Sequence, residues 1–114
     1  VSFGMTLDPQ FGPVTMIGAG GVLIEMMTDR RFALPPFDAV EARRHVDALT
    51  LRPLLDGKRG AAPADVTALA RAYAAFSRLA GDLAGLIAEV DVNPVIINAE
   101  AAIAVDALIV SAVK

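Results

Sequence analysis

One long amphipathic segment, residues 64–83, most constrains what this chain can fold into. Its apolar side chains recur at spacings of three and four, which places them in one stripe along a helix. A stripe of this kind has to be buried against another layer of secondary structure. The residues that form it are Val66, Leu69, Tyr73, Phe76, Leu79, Ala80 and Leu83.

The segment before this helix carries the patterns of strands and turns. Residues 1–18 alternate apolar with small or polar side chains and predict two strands, joined by a turn at 8–13 where proline and glycine concentrate. Residues 22–29 continue as a strand or a short helix, which periodicity does not decide over so few residues. Residues 30–36 predict a short strand that ends at two prolines.

A second helix is predicted at 38–49, because Asp38 and Glu41 form a helix-start capping pattern. Residues 51–65 predict a loop with a helical turn at 53–56. Two further strands follow the long helix, so the element order is strands, helix, helix, strands. This order predicts an α+β fold with a largely antiparallel sheet packed with two main helices.

The last strands contain the stretch "AEVDVNPVI", residues 88–96, which places polar groups on alternate positions of an apolar segment. Successive side chains of a strand point to opposite faces, so Glu89, Asp91 and Asn93 share one face. The residues between them are apolar. The pattern therefore predicts a strand with one buried and one polar face.

The register of the final hairpin depends on its turn, "NAEA" at 98–101. If the loop is even and centred between Ala99 and Glu100, the numbers of paired residues add to 199, and Asn93 lies opposite Asp106. Opposed Cβ atoms are roughly 4.5–5.5 Å apart. A loop of three or five residues would put Asp106 on the other face. Pro94 cannot donate a ladder hydrogen bond and indicates an edge or a bulge here.

This register would group Asp91, Asn93 and Asp106 into a patch that offers only oxygen ligands. Hard cations such as Mg²⁺ prefer such ligands and often complete their shell with water and substrate phosphates. The alternative is a half-exposed hairpin whose polar face meets water. Two carboxylates at short range also repel each other unless one is protonated or a cation neutralises them.

Other candidate residues are less specific. "GAGG", residues 18–21, is not a phosphate-binding loop, because no Gly-Lys-Ser/Thr follows and the third glycine of a dinucleotide fingerprint would fall on Leu23. Glu25 lies either at a strand end in water or in a cleft. Arg59 lies between glycines before a helix and could clamp a phosphate or simply face solvent. His45, among charged residues, is interpreted as a surface histidine.

Composition excludes several classes of protein. The formal net charge is −3 and there is no Lys/Arg run, so nothing favours nucleic-acid binding. Cysteine is absent, which excludes disulfide and thiolate chemistry and fits a reducing compartment. The sequence shows no membrane span and no signal peptide. Hydrophobic residues make up 55% of the chain, so part of the apolar surface is expected to face another domain.

The motifs taken in order resemble a known family. The segments "LDPQFGPVTMIGAGGVLIEMMTDRRFALPP", "LRPLLDGKRGAAPAD", "AEVDVNPVII" and "IAVDALI" are similar to the C-terminal part of the ATP-grasp domain of NDP-forming acyl-CoA synthetases. These enzymes are relatives of the succinyl-CoA synthetase β subunit. The resemblance covers nearly all of residues 1–114, which are expected to form one ATP-grasp subdomain cut from a longer chain.

The resemblance implies a function and a site. The family interconverts acid, CoA and ATP with acyl-CoA, ADP and phosphate through an acyl phosphate and a phosphohistidine. The resemblance implies that Mg²⁺ and ATP or ADP are the cofactors. It also implies that Asp91, Asn93 and Asp106 bind them and are the metal ligands. Glu25 and Arg59 match family positions on the nucleotide or phosphohistidine side and are the implied catalytic residues.

The resemblance also implies partners and leaves an alternative. CoA and the phosphohistidine belong to other domains or a second subunit of a cytoplasmic, oligomeric enzyme, and this fragment alone is expected to be inactive. Leu108 stands where the family usually has a basic residue after the metal Asp. That departure favours a non-catalytic nucleotide-binding or regulatory module, such as part of an acyltransferase fusion. A structural interaction domain is the third reading.

Overall fold

A computed structural model describes residues 1–20, 29–57 and 62–112. Over these ranges the chain forms seven strands, two α-helices and one short 3-10 helix. In chain order they are β1 (Ser2–Asp8), β2 (Gly12–Gly18), β3 (Arg30–Ala33), α1 (Ala39–Ala48), the 3-10 helix (Arg52–Asp56), α2 (Val66–Leu83), β4 (Ile87–Val92), β5 (Val95–Ile97), β6 (Ala102–Ala104) and β7 (Ala107–Ser111). The predicted α+β order is therefore confirmed.

The main sheet has five strands in the order β3-β2-β1-β4-β7, and every neighbouring pair is antiparallel. β5 and β6 form a separate two-stranded ladder. The turn between β1 and β2 closes because the Asp8 carboxylate accepts hydrogen bonds from the backbone N–H groups of Gln10 and Phe11, at 2.7 and 3.1 Å. An aspartate that bonds the backbone in this way favours a tight turn.

Both helices begin at an aspartate. The Asp38 carboxylate accepts a hydrogen bond from Glu41 N at 2.9 Å, and the Asp65 carboxylate accepts one from Ala68 N at 2.9 Å. Each carboxylate satisfies a backbone donor that the first helical turn leaves free. The predicted capping of the first helix is confirmed, and the predicted helical turn in the following loop is the 3-10 helix.

The two helices cover one face of the sheet. The Tyr73 hydroxyl on α2 lies 3.2 Å from Thr15 Oγ1 on β2, and Thr15 also donates to the carbonyl of Ala33 on β3 at 2.8 Å. The ring of Phe3 on β1 lies 5.2 Å from that of Tyr73 and 5.4 Å from that of Phe76. α2 is thereby fixed across the middle of the sheet. Within the described ranges no helix covers the opposite face, which is called the open face below.

Two expectations about burial are wrong. Leu79, assigned to the buried stripe of α2, is 41% exposed, because the three-four spacing continues through Ala80 and turns Leu79 toward solvent. His45, interpreted as a surface residue, has a side chain that is only 14% exposed. Its ring packs between Phe37 and Tyr73, since it lies one residue from buried Val46 on the inner face of α1.

No helix in the described ranges is long and apolar enough to cross a membrane.

Candidate functional site

The C-terminal hairpin has the predicted register. Val92 pairs with Ala107 and Asp91 pairs with Leu108 in the β4–β7 ladder, and Val95 pairs with Ala104 in the β5–β6 ladder, so the residue numbers of each pair add to 199. The tip explains this register. The Asn98 side chain accepts hydrogen bonds from the backbone N–H groups of Glu100 and Ala101, at 2.8 and 2.9 Å, and closes an even turn.

The hairpin changes from one ladder to the other at the candidate site. Asn93 N donates to the carbonyl of Asp106 at 3.1 Å, and Val105 N donates to the carbonyl of Pro94 at 3.0 Å. On one side of the hairpin the bonded residues lie between β4 and β5, and on the other side they lie between β6 and β7. Asn93 and Asp106 are therefore opposed in the hairpin, although neither belongs to a regular strand. The Asn93–Pro94 peptide bond is cis.

The side chains at the site follow the predicted alternation. Val90 and Val92 are buried, whereas Glu89, Asp91 and Asn93 are exposed. Asp106 is also exposed, and its carboxylate accepts a hydrogen bond from Ala107 N at 2.9 Å, which holds it at the start of β7.

The side chains at the site offer few metal ligands. Within the described ranges, no three His, Cys, Asp or Glu side chains come together in a way that could hold a metal ion. A carboxylate and an amide oxygen from opposed residues still fit Mg²⁺, which usually takes one or two protein carboxylates and keeps water and phosphate oxygens as its other ligands. The residues Asn93 and Asp106 therefore suit an ion that arrives with a phosphate ligand.

A glycine turn at the end of β2 lies against Asn93. Gly20 has a φ of +68°, and a Cβ placed on it would lie 3.5 Å from Asn93 Oδ1 and 3.7 Å from Ser2 N. The positive φ favours glycine at this position, while the distances are those of ordinary van der Waals contact. The contact was not predicted from the sequence, where "GAGG" indicated only a turn.

The open face of the sheet carries a groove beside the site, with a cavity of about 210 Å³. Gly4 and Met16 form part of its floor, Arg30 lines it from β3, and Glu89 and Asp91 line it from β4. The Arg30 guanidinium lies 5.7 Å from the centre of the Phe32 ring, which also lines the groove. The groove thus has an apolar floor, with a cation at one side and carboxylates at the other.

Sequence reasoning missed this groove. The signal that could have found it is the alternation of Gly4 and Thr6 with buried Phe3 and Met5 in β1, which places small side chains on the open face.

Three further residues complete the predicted set. Leu108, which pairs with Asp91, is 61% exposed on β7. Glu25 and Arg59 lie outside the described residues. The structure therefore brings together Asn93 and Asp106, places Asp91 in β4 two residues before Asn93, and leaves the other two positions as sequence predictions.

The fold and the matched sequence define the class of protein. The chain belongs to the ATP-grasp family, whose domain matches residues 1–110. Within this family it is similar to ADP-forming synthetases. It is 38% identical over 112 residues to the β subunit of acetate–CoA ligase (ADP-forming) II of Pyrococcus furiosus, in a match that covers 96% of this chain and 48% of that subunit.

Two other proteins extend this comparison. Trans-feruloyl-CoA synthase FCS1, from an unknown prokaryotic organism, is 42% identical over 108 residues, which are 92% of this chain and 15% of that protein. The dinucleotide forming acetyl-coenzyme A synthetase 1 of Ca. Korarchaeum cryptofilum, solved with coenzyme A and Mg-AMPPCP, superposes with a TM-score of 0.88. It is 35% identical and the match covers 96% of this chain and 51% of that one. The chain thus spans about half the length of the subunits it matches.

Proposed function

We propose that this chain is the magnesium-nucleotide-binding portion of an ADP-forming acyl-CoA synthetase. The complete enzyme would interconvert a carboxylic acid, CoA and ATP with acyl-CoA, ADP and phosphate, through an acyl phosphate and a phosphohistidine carried elsewhere in the protein. The observation that carries the proposal is the opposition of Asn93 and Asp106 in the hairpin of an ATP-grasp chain.

Each residue at the site has a proposed role. The Asn93 amide oxygen and the Asp106 carboxylate would hold Mg²⁺, with Asp91 beside them. The ion would neutralise charge on the transferring phosphate, which is the main requirement of phosphoryl transfer. The backbone N–H of Asn93 bonds the carbonyl of Asp106, and one oxygen of the Asp106 carboxylate accepts from Ala107 N. The Asn93 amide oxygen and the second Asp106 oxygen would be offered to the ion. Glu25 and Arg59 are assigned to the nucleotide or phosphohistidine side of the site.

The groove on the open face supports the same assignment. It runs from Arg30 across Gly4 to Asp91, and Asp91 at the end of β4 lies two residues before Asn93 in the sequence. An apolar floor with charged groups at both sides suits a ligand that combines an aromatic ring with phosphates. We therefore assign the groove to the nucleotide.

The remaining parts of the reaction require other polypeptide. The acetate–CoA ligase β subunit and the solved synthetase are about twice as long as this chain, and trans-feruloyl-CoA synthase is several times longer. The CoA-binding and phosphohistidine-bearing parts are therefore proposed to lie in further domains or a second subunit. The enzyme is proposed to be an oligomer of the cytoplasm. The 114-residue chain alone is expected to bind nucleotide poorly and to catalyse no turnover.

The direct test measures Mg-ADP and Mg-ATP binding to the full-length protein by calorimetry, with and without Asp106→Asn. Loss of the carboxylate should weaken Mg-nucleotide binding by about tenfold or more, which corresponds to about 1.4 kcal/mol. Binding measured in excess chelator should not change. Glu100→Gln is the matched control, because it neutralises an exposed carboxylate at the tip of the same hairpin. Equal binding with and without magnesium, together with no effect of Asp106→Asn, would refute the proposal.

One observation favours a second candidate function. Leu108 is exposed and pairs with Asp91 at the position where the family pattern has a basic residue. A site that lacks this cation could bind nucleotide without catalysis and act as a regulatory module of a synthetase-like fusion protein. Turnover of acid, CoA and ATP by the full-length protein decides between the two, since the regulatory alternative predicts binding without acyl-CoA formation.

A further inference from the structure

We propose that Asp29 is a positioning residue that holds the glycine turn Gly18–Gly20 against Asn93, and that it thereby sets the magnesium dependence of nucleotide binding. The inference rests on the proposed function. Asp29 lies within the first segment that resembles the family, residues 7–36, but it is not one of the candidate site residues.

The side chain of Asp29 is held from two directions. One carboxylate oxygen accepts a hydrogen bond from Thr50 N at 2.7 Å, and the other accepts one from Leu51 N at 2.9 Å. These consecutive amides follow the end of α1. Hydrogen bonds to a charged acceptor are about twice as strong as neutral ones, so this carboxylate is firmly attached to the helix end.

The backbone of Asp29 holds the glycine turn. Its carbonyl accepts a hydrogen bond from Ala19 N at 2.8 Å. A Cβ placed on Gly18 would lie only 3.3 Å from the same carbonyl oxygen, so the two segments are in close contact. Asp29 therefore joins the end of α1 to the turn that follows β2.

The glycine turn lies beside the side-chain amide of Asn93. Gly20 lies against Asn93 Oδ1, with 3.5 Å between that oxygen and an added Cβ. The backbone of Asn93 is fixed by its bond to Asp106, but its amide group can still rotate. The turn therefore borders the space into which the Asn93 side chain can rotate, and a shift of the turn would change that space. A metal ligand has to be held within about 0.5 Å of its productive position.

The same kind of contact elsewhere provides a control. Asp38 also accepts a backbone N–H through its carboxylate, from Glu41 at 2.9 Å, but at the opposite end of α1. Its recorded hydrogen bonds, through the carboxylate and the carbonyl, go to Glu41 and Ala42 within that helix. Asp38→Ala should therefore weaken α1 without releasing the glycine turn.

The experiment compares Asp29→Ala, Asp29→Asn and Asp38→Ala in the full-length protein. Nucleotide binding is titrated with Mg²⁺ at constant ionic strength. For Asp29→Ala the Mg²⁺ concentration at half-maximal binding should rise about tenfold, and for Asp29→Asn by less, because Asn keeps one acceptor oxygen. Asp38→Ala should leave it unchanged. If Asp29→Ala does not fold, Asp29→Asn carries the test.

A second measurement needs neither metal nor nucleotide. Amide hydrogen exchange at Ala19 should become faster in the Asp29 variants and stay unchanged in Asp38→Ala. Equal shifts in the Mg²⁺ titration for Asp29 and Asp38 variants, or no shift in either, would overturn the inference while leaving the proposed function intact. Magnesium-independent binding by the unsubstituted protein would instead overturn the proposed function, and this inference with it.

Discussion

The two hairpins of the main sheet share a strand pattern and differ in what covers them. In the hairpin of β1 and β2, Phe3, Met5 and Ile17 are buried beneath the helices. In the hairpin of β4 and β7, only β4 buries its apolar side chains, and every residue of β7 is exposed. Alternation in a sequence therefore predicts which side chains share a face, whereas burial depends on the layer that another part of the protein supplies.

The strongest test of this difference uses the same residue type in each hairpin. Ile17 is fully buried and Ile109 is 57% exposed. Ile17→Ala should lower the free energy of unfolding by about 2–5 kcal/mol, because it leaves a cavity in a packed core. Ile109→Ala should change it by no more than about 0.5 kcal/mol. Urea unfolding followed by circular dichroism measures both, and equal losses would mean that β7 is covered in solution.

The packing of α2 over the hairpin of β1 and β2 can be tested by a pH titration of Tyr73. Tyr73 is the only tyrosine and the chain has no tryptophan, so its phenolate absorbance can be followed directly. Burial raises the pKa of Tyr73 to about 12, despite its hydrogen bond with Thr15. The stabilisation that depends on neutral Tyr73 is complete below its unfolded pKa of about 10 and is lost as the pH rises through its folded pKa. A midpoint near that of denatured protein would show that α2 does not cover this hairpin.

The smallest effect is expected for Leu108→Lys in the second hairpin. Because this side chain is exposed, the free energy of unfolding should stay within about 0.5 kcal/mol of the original value. Thermal unfolding provides the measurement. Calorimetry with Mg-ADP on the same variant shows whether a cation beside Asp91 strengthens nucleotide binding, which bears on the regulatory alternative. A large loss of stability would contradict the exposure of β7.

The parts of the structure that local chemistry determines could be predicted from the sequence. Asp38 caps a helix through a residue three positions away, and Asn98 closes an even turn through its own neighbours. The even turn sets the register of the hairpin from its tip to Glu89, and this register places Asn93 opposite Asp106.

The wrong prediction for His45 and the contacts that the sequence did not predict involve residues from distant segments. His45 is surrounded by charges in the sequence but packs against Tyr73 of another helix. The contact of Gly20 with Asn93 joins residues from the two ends of the chain, and no periodic pattern encodes it. The attachment of Asp29 to Thr50 and Leu51 has the same origin.

The backbone hydrogen bond between Asn93 and Asp106 has a consequence for the evolution of such proteins. The hairpin is closed at the site by main-chain groups, whereas the proposed ligand oxygens belong to the side chains of Asn93 and Asp106. The Asp106 carboxylate contributes one local hydrogen bond to the fold, from Ala107 N. Under the proposed function, substitutions at these side chains would abolish catalysis by the complete enzyme and leave this domain folded. An inactive descendant could then be retained for its surfaces alone, which is one route by which an enzyme lineage acquires members that bind and regulate.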